Sequence, residues 1–355
     1  MSGSSLDGLD IVLAELNENA GKWEYEILAS DCYSYPDHWK NKLAGAINLN
    51  ARDYLLLHAE YGHYLGNEVN RFIQTNGLEF KVGLIASHGH TSFHLPAQKM
   101  TAQLGEGSAI AAVTGLPVVS DLRALDVAFG GQGAPIVPIG EQLLFPQYDM
   151  FLKIGGIANI SFNLPGNYIA FDVCPANRVL NLLAETKGKS FDEGGKMAAS
   201  GHINNELLQK LNSLEYYSKP YPKSLANSFG TDEIFPIVQA SGLTVEDAMR
   251  TYVEHIAWQI KNAVDLVKLQ PEEKKLLATG GGALNEFLIE RLSAMLSTKK
   301  ISVVVPEPSI VNYKEALVMA LIGVLRWRQE YNVLSTVTGA SRNSIGGAVW
   351  IGQEA

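Results

Sequence analysis

The stretch "DMFLKIGGIANISFNLPGNYIAFDV", residues 149–173, decides how the rest of the chain is read. Its three apolar-rich runs, 149–156, 157–164 and 167–173, have the length and composition of β-strands. A Gly-Gly turn separates the first two and a Pro-Gly-Asn turn the last two, so the stretch reads as an antiparallel meander. Downstream, the spacing of apolar residues predicts a helix over 176–186 and a long one over 246–268. A strand follows at "KKLLATGGG" (274–282), then a helix from Asn285, a strand at "ISVVVPEP" and an apolar-faced helix over 314–327. Strands alternating with helices put the chain in the α/β class.

Upstream, the same order recurs with one piece missing. A glycine- and serine-rich turn, "MSGSSLDGLD", feeds two strands at 10–16 and 23–30 joined by "NENAGK". One or two helices are expected between Trp39 and Thr75. A strand then lies at 81–87, a helix over 102–115, and a strand in "LPVVSDL". The strand that leads into the first turn is absent. Two such halves in 355 residues suggest an internal duplication and two domains, since single cores stop growing at about 250–300 residues. No low-complexity linker parts them, so closely coupled domains around a cleft are expected.

Composition narrows the partners. The 28 Lys and Arg against 37 Asp and Glu give a formal charge of −9, which leaves no cationic excess to displace counterions from nucleic acid. Two distant cysteines, Cys32 and Cys174, form no framework and fit a reducing compartment. Without a leader-like start or an apolar run of about 20 residues, the reading is a soluble cytoplasmic protein with no membrane partner.

Several motifs invite chemistry. No GxxxxGK[ST] is present, which excludes a P-loop. "GEGSAIA" (105–111) follows a helical-looking segment and misses the dinucleotide spacing, so a packed helix is expected there. Three strand-edge glycine turns could present N–H groups to an anion: Gly3-Ser4-Ser5 with Asp7, Gly155-Gly156, and Gly280-Gly281-Gly282. Each alone is an ordinary tight turn; three at matching places favour a nucleotide. In "SHGHTSFH", His88, His90 and His94 have a zinc-like spacing, but without a nearby acidic or thiol partner contact with a polar ligand is the better reading. Asp121, Arg123 and Asp126 precede a glycine-rich loop. They suit either a substrate with a carboxylate and hydroxyls or an ion-pair network organising the loop. Asp172 ends a strand, where a general base or a capping residue would sit, and Glu315 opens the last long helix.

Taken in order, "MSGSSLDGLD", "SHGHTSFH", "SDLRALDVAFGGQGAPIVP", "IGGIANIS", "AFDVCPAN", "DEGGKMAASG", "PKS", "GGGALN" and "EALVMALIG…VTGASR…IGG" closely resemble the anhydro-N-acetylmuramic acid kinases of cell-wall recycling. The ordered set spans residues 1 to 347. The resemblance implies two ribonuclease-H-like domains in an actin-like, sugar-kinase arrangement around an ATP cleft, with residues 1–145 plus 310–355 in one and 146–309 in the other. It implies a reaction in which ATP phosphorylates O6 of 1,6-anhydro-N-acetylmuramic acid while water opens the anhydro bridge at C1. By the same resemblance, Gly3, Ser4, Ser5, Leu6, Asp7, Gly8, Leu9 and Asp10 form the first phosphate loop. Gly155 and Gly156 form the second, and Gly280, Gly281 and Gly282 border the adenosine. Asp172 matches the catalytic base, and His88, Asp121, Arg123, Asp126 and Glu315 fall on sugar-binding motifs. Mg²⁺ would accompany ATP, no structural metal is implied, and a homodimer is compatible.

The chain departs from the family pattern in places. "GTS" is "GSS" here, "GQT" is "GHT" at His90, "DTGPGN" is "DVCPAN", and Lys153 stands where Asn is usual. After "PKS", "TGRE" is replaced by "LANS" (225–228), which removes the family's Arg. The alternatives that these changes open are a kinase for a different anhydro-sugar and an actin-fold ATP-binding protein without catalysis. Because relatives carry a strand ahead of the first loop, a chain extended upstream of Met1 is expected to be more stable and more active.

Overall fold

The computed structural model describes all residues except 4, 5, 7, 165, 166, 227, 268, 270, 271 and 353–355. The middle of the first loop and most of the Pro-Gly-Asn turn therefore lie outside the described residues. The chain divides into two compact units, Met1–Phe145 with Tyr313–Ala355, and Pro146–Asn312.

Unit 1 begins with a long hairpin, β1 (Gly8–Asn19) and β2 (Lys22–Ser34), both running past the expected ends. Helices α1 (Asp37–Gly45) and α2 (Ala51–Thr75) follow, α2 capped by Asn50, whose side chain accepts from the Asp53 N–H. Next come β3 (Ile85–Ala86), a second hairpin of β4 (His90–Leu95) and β5 (Met100–Leu104), and α3 (Gly107–Thr114). The residues before Gly105 are thus a strand, where their Ala, Gln, Lys, Met and Leu content suggested helix; pairing with β4 overrides that weak local preference. Glycines around this corner permit close packing. A Cβ on Gly62 of α2 would strike the Glu106 backbone, and one on Gly107 would strike Ser120 and Trp350. Strand β6 (Val118–Ser120) and helices α4 (Ala124–Ala128) and α5 (Pro138–Leu144) complete this part of the unit.

Unit 2 carries the meander: β7 (Met150–Ile154), β8 (Ile157–Leu164) and β9 (Asn167–Pro175). Helices α6 (Asn177–Glu185), α7 (Lys196–Ser200), α8 (Asn205–Asn212), α9 (Glu215–Ser218), α10 (Phe235–Gln239) and α11 (Val245–Leu266) follow. Then come β10 (Lys274–Thr279), α12 (Glu286–Ser297) and β11 (Ile301–Val304). The sheet order is β11-β10-β7-β8-β9, parallel on the β10 side of β7 and antiparallel through β8 and β9. Three antiparallel strands followed by two parallel ones is the ribonuclease-H-like order. Met150, Leu152 and Ile154 are fully buried, and Tyr252, Val253, Ile256 and Ile260 of α11 belong to the same core.

The chain returns to unit 1 through α13 (Pro308–Trp327), α14 (Ser335–Thr338) and β12 (Ala348–Trp350). Helix α13 is long and apolar enough to pass as a membrane span, although the expectation from the sequence was of no such run; 61% of its apolar window is buried within the protein. Its Lys314 pairs with Glu141 of α5 at 2.6 Å, both side chains only 5% exposed. The strands of unit 1 form separate groups, β1-β2, β12-β6-β3 and β4-β5. A mostly apolar cavity of about 110 Å³ lies between β1 and β3, lined by Ile11, Leu13, Phe72 and Met319 among others. At its rim, Ser2 bridges antiparallel to Leu9, and the Met1 carbonyl accepts from the Asp10 N–H at 3.0 Å.

Candidate active site

Two glycine turns of unit 2 lie at the C-terminal ends of adjacent parallel strands, Gly155-Gly156 after β7 and Gly280–Gly282 after β10. Both are built against Asn177, the first residue of α6. The Gly155 and Gly156 carbonyls accept from the Asn177 and Ala176 N–H groups at 3.0 and 2.8 Å. Because a trans peptide points C=O and N–H in opposite directions, the Gly156 N–H faces away from the helix start, and Gly156 is exposed. Gly280 has φ +80°, and a Cβ there would meet the Ile154 carbonyl oxygen at 2.8 Å. Gly282 is equally closed by the Ile154 side chain, whereas a Cβ on Gly281 would meet only Asn177 Nδ2 at 3.6 Å. The glycines of this corner thus let two turns approach one helix start, the geometry of a backbone cradle for an anion. Arg178, not singled out in the sequence, lies beside Gly156.

Asp172 lies within β9 of the same sheet, three residues before the strand ends at Pro175. The sequence suggested the strand's end, but pairing with β8 continues through Cys174 and Pro175. A bulge sets its direction: Ala158 pairs with Cys174 and Asn159 with Asp172, so Val173 is the extra residue. Asn159 Nδ2 donates to Asp172 Oδ1, and the Leu225 N–H donates to Oδ2 at 2.8 Å. Burial pushes the Asp172 carboxyl up from its ordinary value, and these two donors partly offset that rise. Asn159 and Leu225 were not named from the sequence, although both fall in quoted motif regions.

In unit 1, His88 accepts at Nε2 from Arg123 Nε at 2.9 Å, and its Nδ1 lies 3.0 Å from the Gly89 carbonyl oxygen. The carbonyl can only accept, so Nδ1 carries the proton and Nε2 is the acceptor. Burial, reinforced by the Arg123 charge, holds the imidazole neutral, with a pKa of about 3. Arg123 also donates to the Gly133 carbonyl at 2.5 Å. Burial lowers its pKa to about 10, while the Glu315 carboxylate on α13 acts in the opposite direction. His88, Arg123 and Glu315 are therefore brought into one electrostatic neighbourhood. Asp121 is adjacent in sequence to Ser120, whose hydroxyl it accepts at 3.0 Å, and holds a left-handed backbone at φ 55°.

Asp126 is placed differently. It is fully buried; Oδ2 accepts from the Gly133 N–H at 2.8 Å and Oδ1 from Thr338 Oγ1 at 2.7 Å. Of the two readings left open for this segment, loop organisation is the one its hydrogen bonds serve. The three histidines have separate partners: His90 Nδ1 contacts Ser2 Oγ at 3.1 Å and His94 Nδ1 contacts Thr101 Oγ1 at 3.1 Å. Among the described residues no group of three His, Cys, Asp or Glu could hold a metal ion. Of the first loop, Gly3, Leu6, Gly8, Leu9 and Asp10 are described, and the Leu9 side chain lies in the unit 1 core.

The fold is α/β with a ribonuclease-H-like sheet, and glycine turns and a carboxylate gather at one end of that sheet, as in phosphotransferases of the sugar-kinase class. Comparison with known proteins makes this specific. The sequence model for anhydro-N-acetylmuramic acid kinase matches residues 1–352. The anhydro-N-acetylmuramic acid kinase of Sulfurovum sp. (strain NBC37-1) is 34% identical over 363 residues, covering 99% of this chain and 98% of that protein. That of Haemophilus influenzae (strain ATCC 51907 / DSM 11121 / KW20 / Rd) is 33% identical over 380 residues, covering 99% and 96%. Among solved structures, a ROK family glucokinase from Streptomyces griseus in complex with glucose and AMPPNP aligns with a TM-score of 0.41 at 10% identity, over 88% of this chain and 99% of that one. The chain belongs to the anhydro-N-acetylmuramic acid kinase family.

Proposed function

We propose that the protein phosphorylates 1,6-anhydro-N-acetylmuramic acid at O6, with ATP as donor and hydrolytic opening of the anhydro bridge, giving N-acetylmuramic acid 6-phosphate. The observation that carries this reading is the aimed carboxylate of Asp172. It has one donor on each oxygen and a burial-raised pKa, which makes it a better proton acceptor than an exposed carboxylate. Asp172 would take a proton from the water that attacks C1. As the C1–O6 bond breaks, O6 gains charge and becomes the nucleophile toward the γ-phosphorus.

The backbone of Gly155-Gly156 and of the opening turn from Gly3 to Asp10 would cradle phosphates, and Gly280–Gly282 would lie against the adenosine. The missing Cβ atoms of Gly280 and Gly282 let that turn pack directly against Ile154, at the end of the strand that leads into Gly155-Gly156. Mg²⁺ would arrive on the triphosphate and neutralise its oxygens; it keeps several waters and needs few protein carboxylates. Arg123 would grip the substrate carboxylate, with Glu315 and Asp121 toward its hydroxyls. His88 would serve by holding Arg123, and Asp126 by holding the loop. Use of ATP and a reducing setting for Cys32 and Cys174 agree with action in the cytoplasm.

The deciding experiment is ADP release from Mg-ATP with and without the anhydro-sugar, with mass analysis of the product. Sugar-dependent release and a product heavier by one phosphoryl group and one water are expected. Asp172→Asn should lower kcat by about 10²–10⁴-fold, the usual worth of a general base. ADP release that ignores the sugar would refute the reading.

A further inference from the structure

The segment between α9 and Leu225 is tied to Asp172 more tightly than a surface loop requires. The Asp172 N–H, on the edge strand β9, donates outward to the Lys223 carbonyl at 3.1 Å. Tyr216 Oη donates to the Asp172 carbonyl at 2.7 Å, and the Leu225 N–H donates to Asp172 Oδ2 at 2.8 Å. The segment is in turn fastened to itself. Lys223 Nζ lies 3.3 and 3.4 Å from the carbonyls of Tyr216 and Tyr217, at the C-terminal end of α9, and 4.8 Å from the Tyr216 ring centroid. Tyr221 stacks on Phe171, the residue before Asp172, at 5.7 Å with planes 9° apart.

We propose that residues 216–225 form a strap that aims the Asp172 carboxylate and sets its ionisation, with Lys223 as the fastener and the Leu225 N–H as the contact. The proposal rests on Asp172 being the base. Lys223 is a positioning residue: its ammonium meets carbonyls of α9, and only the backbone of the strap reaches the carboxylate. Hydrogen bonding to the charged form favours ionisation, so loss of the Leu225 contact leaves burial less opposed and raises the pH at which the base loses its proton.

The titratable groups around Asp172 are Tyr216 from α9, Lys223 from the strap and Cys174 from β9. Burial raises the phenol and the thiol above their ordinary values, so both stay neutral between pH 5 and 9. Burial lowers the Lys223 ammonium somewhat. None of the three titrates on the acidic limb.

The test is sugar-dependent ADP release across pH 5–9 for the full chain and for Lys223→Met, Lys223→Arg, Leu225→Pro and Asp172→Asn. The acidic limb of kcat/KM should move up by about one pH unit in Lys223→Met, with activity recovered at high pH and KM for ATP unchanged. Leu225→Pro, which removes that N–H donor and fixes φ at 225 while leaving Lys223 in place, should give the same shift, and Lys223→Arg should restore the original limb. An Asp172→Asn protein that is inactive, beside unshifted limbs in Lys223→Met and Leu225→Pro, overturns the strap and leaves the base in place. Full turnover by Asp172→Asn overturns both. If Lys223→Met does not fold, Leu225→Pro with the fastener intact decides between a shifted and an unshifted limb.

Discussion

His88 and His255, buried neutral histidines from different units, should make this protein acid-sensitive well above the carboxylate range. His88 is held at a pKa of about 3 by burial and the Arg123 charge, and His255 on α11 at about 3 by burial. His255 is fully buried, with Nδ1 2.6 Å from Asn212 Oδ1 and Nε2 3.0 Å from Tyr217 Oη. An unfolded imidazole titrates at about 6.5, so below that pH the unfolded chain binds protons that the native chain refuses. Stability is then fully present above pH 6.5 and falls as pH drops toward 3. At pH 5 each histidine should cost about 2 kcal/mol relative to pH 7.5, about 4 kcal/mol together, a large share of an ordinary domain's stability. Urea unfolding at pH 7.5, 6 and 5 measures the loss, before most carboxylates begin to titrate. Trp258 is the only tryptophan of unit 2, so its fluorescence, with the other four replaced by Phe, reports that unit separately. His255→Gln should remove most of the pH dependence from unit 2 while lowering its stability at pH 7.5. A wild-type stability that is flat from pH 7.5 to 5, or an unchanged slope in His255→Gln, would refute the reasoning.

The Glu141–Lys314 pair should behave as a buried ion pair. Glu141→Gln removes the negative charge facing a buried ammonium and should cost about 3–5 kcal/mol in urea unfolding, while Glu141→Leu with Lys314→Met should recover most of that loss. A Glu141→Gln protein within 1 kcal/mol of wild type, on the scale set by buried pairs, would show that water reaches the site. The adjacent glycines give an internal contrast. Gly282→Ala should lower stability by about 1–3 kcal/mol and raise KM for ATP, because its Cβ would overlap Ile154. Gly281→Ala should leave thermal unfolding nearly unchanged, and equal melting temperatures for the two variants would sink the close-packing account.

Local pattern alone carried much of the outline. The apolar runs in residues 149–173 defined three strands and the Gly-Gly turn, since β-rich runs bounded by turn residues read as strands and glycine permits a tight reversal. Asn285 at the start of α12 and Thr244 at the start of α11 cap their helices, which local chemistry also specifies. The glycine turns and Asp172 were legible for the same reason, each marking the end of a predicted strand. Local pattern failed where pairing decided: 100–104 looks helical by composition and becomes a strand because β4 lies beside it.

The direction of each functional side chain was settled only in three dimensions. Asp172 gains its aim from a bulge at Val173 and from an N–H 53 residues away. His88 finds Arg123 across 35 residues, Glu141 finds Lys314 across 173, and Asp126 finds Thr338 across 212. A one-dimensional pattern records which face a residue occupies. It does not record which distant donor arrives there, and burial turns that arrival into a shifted pKa, a fixed tautomer or a charge that must be paired.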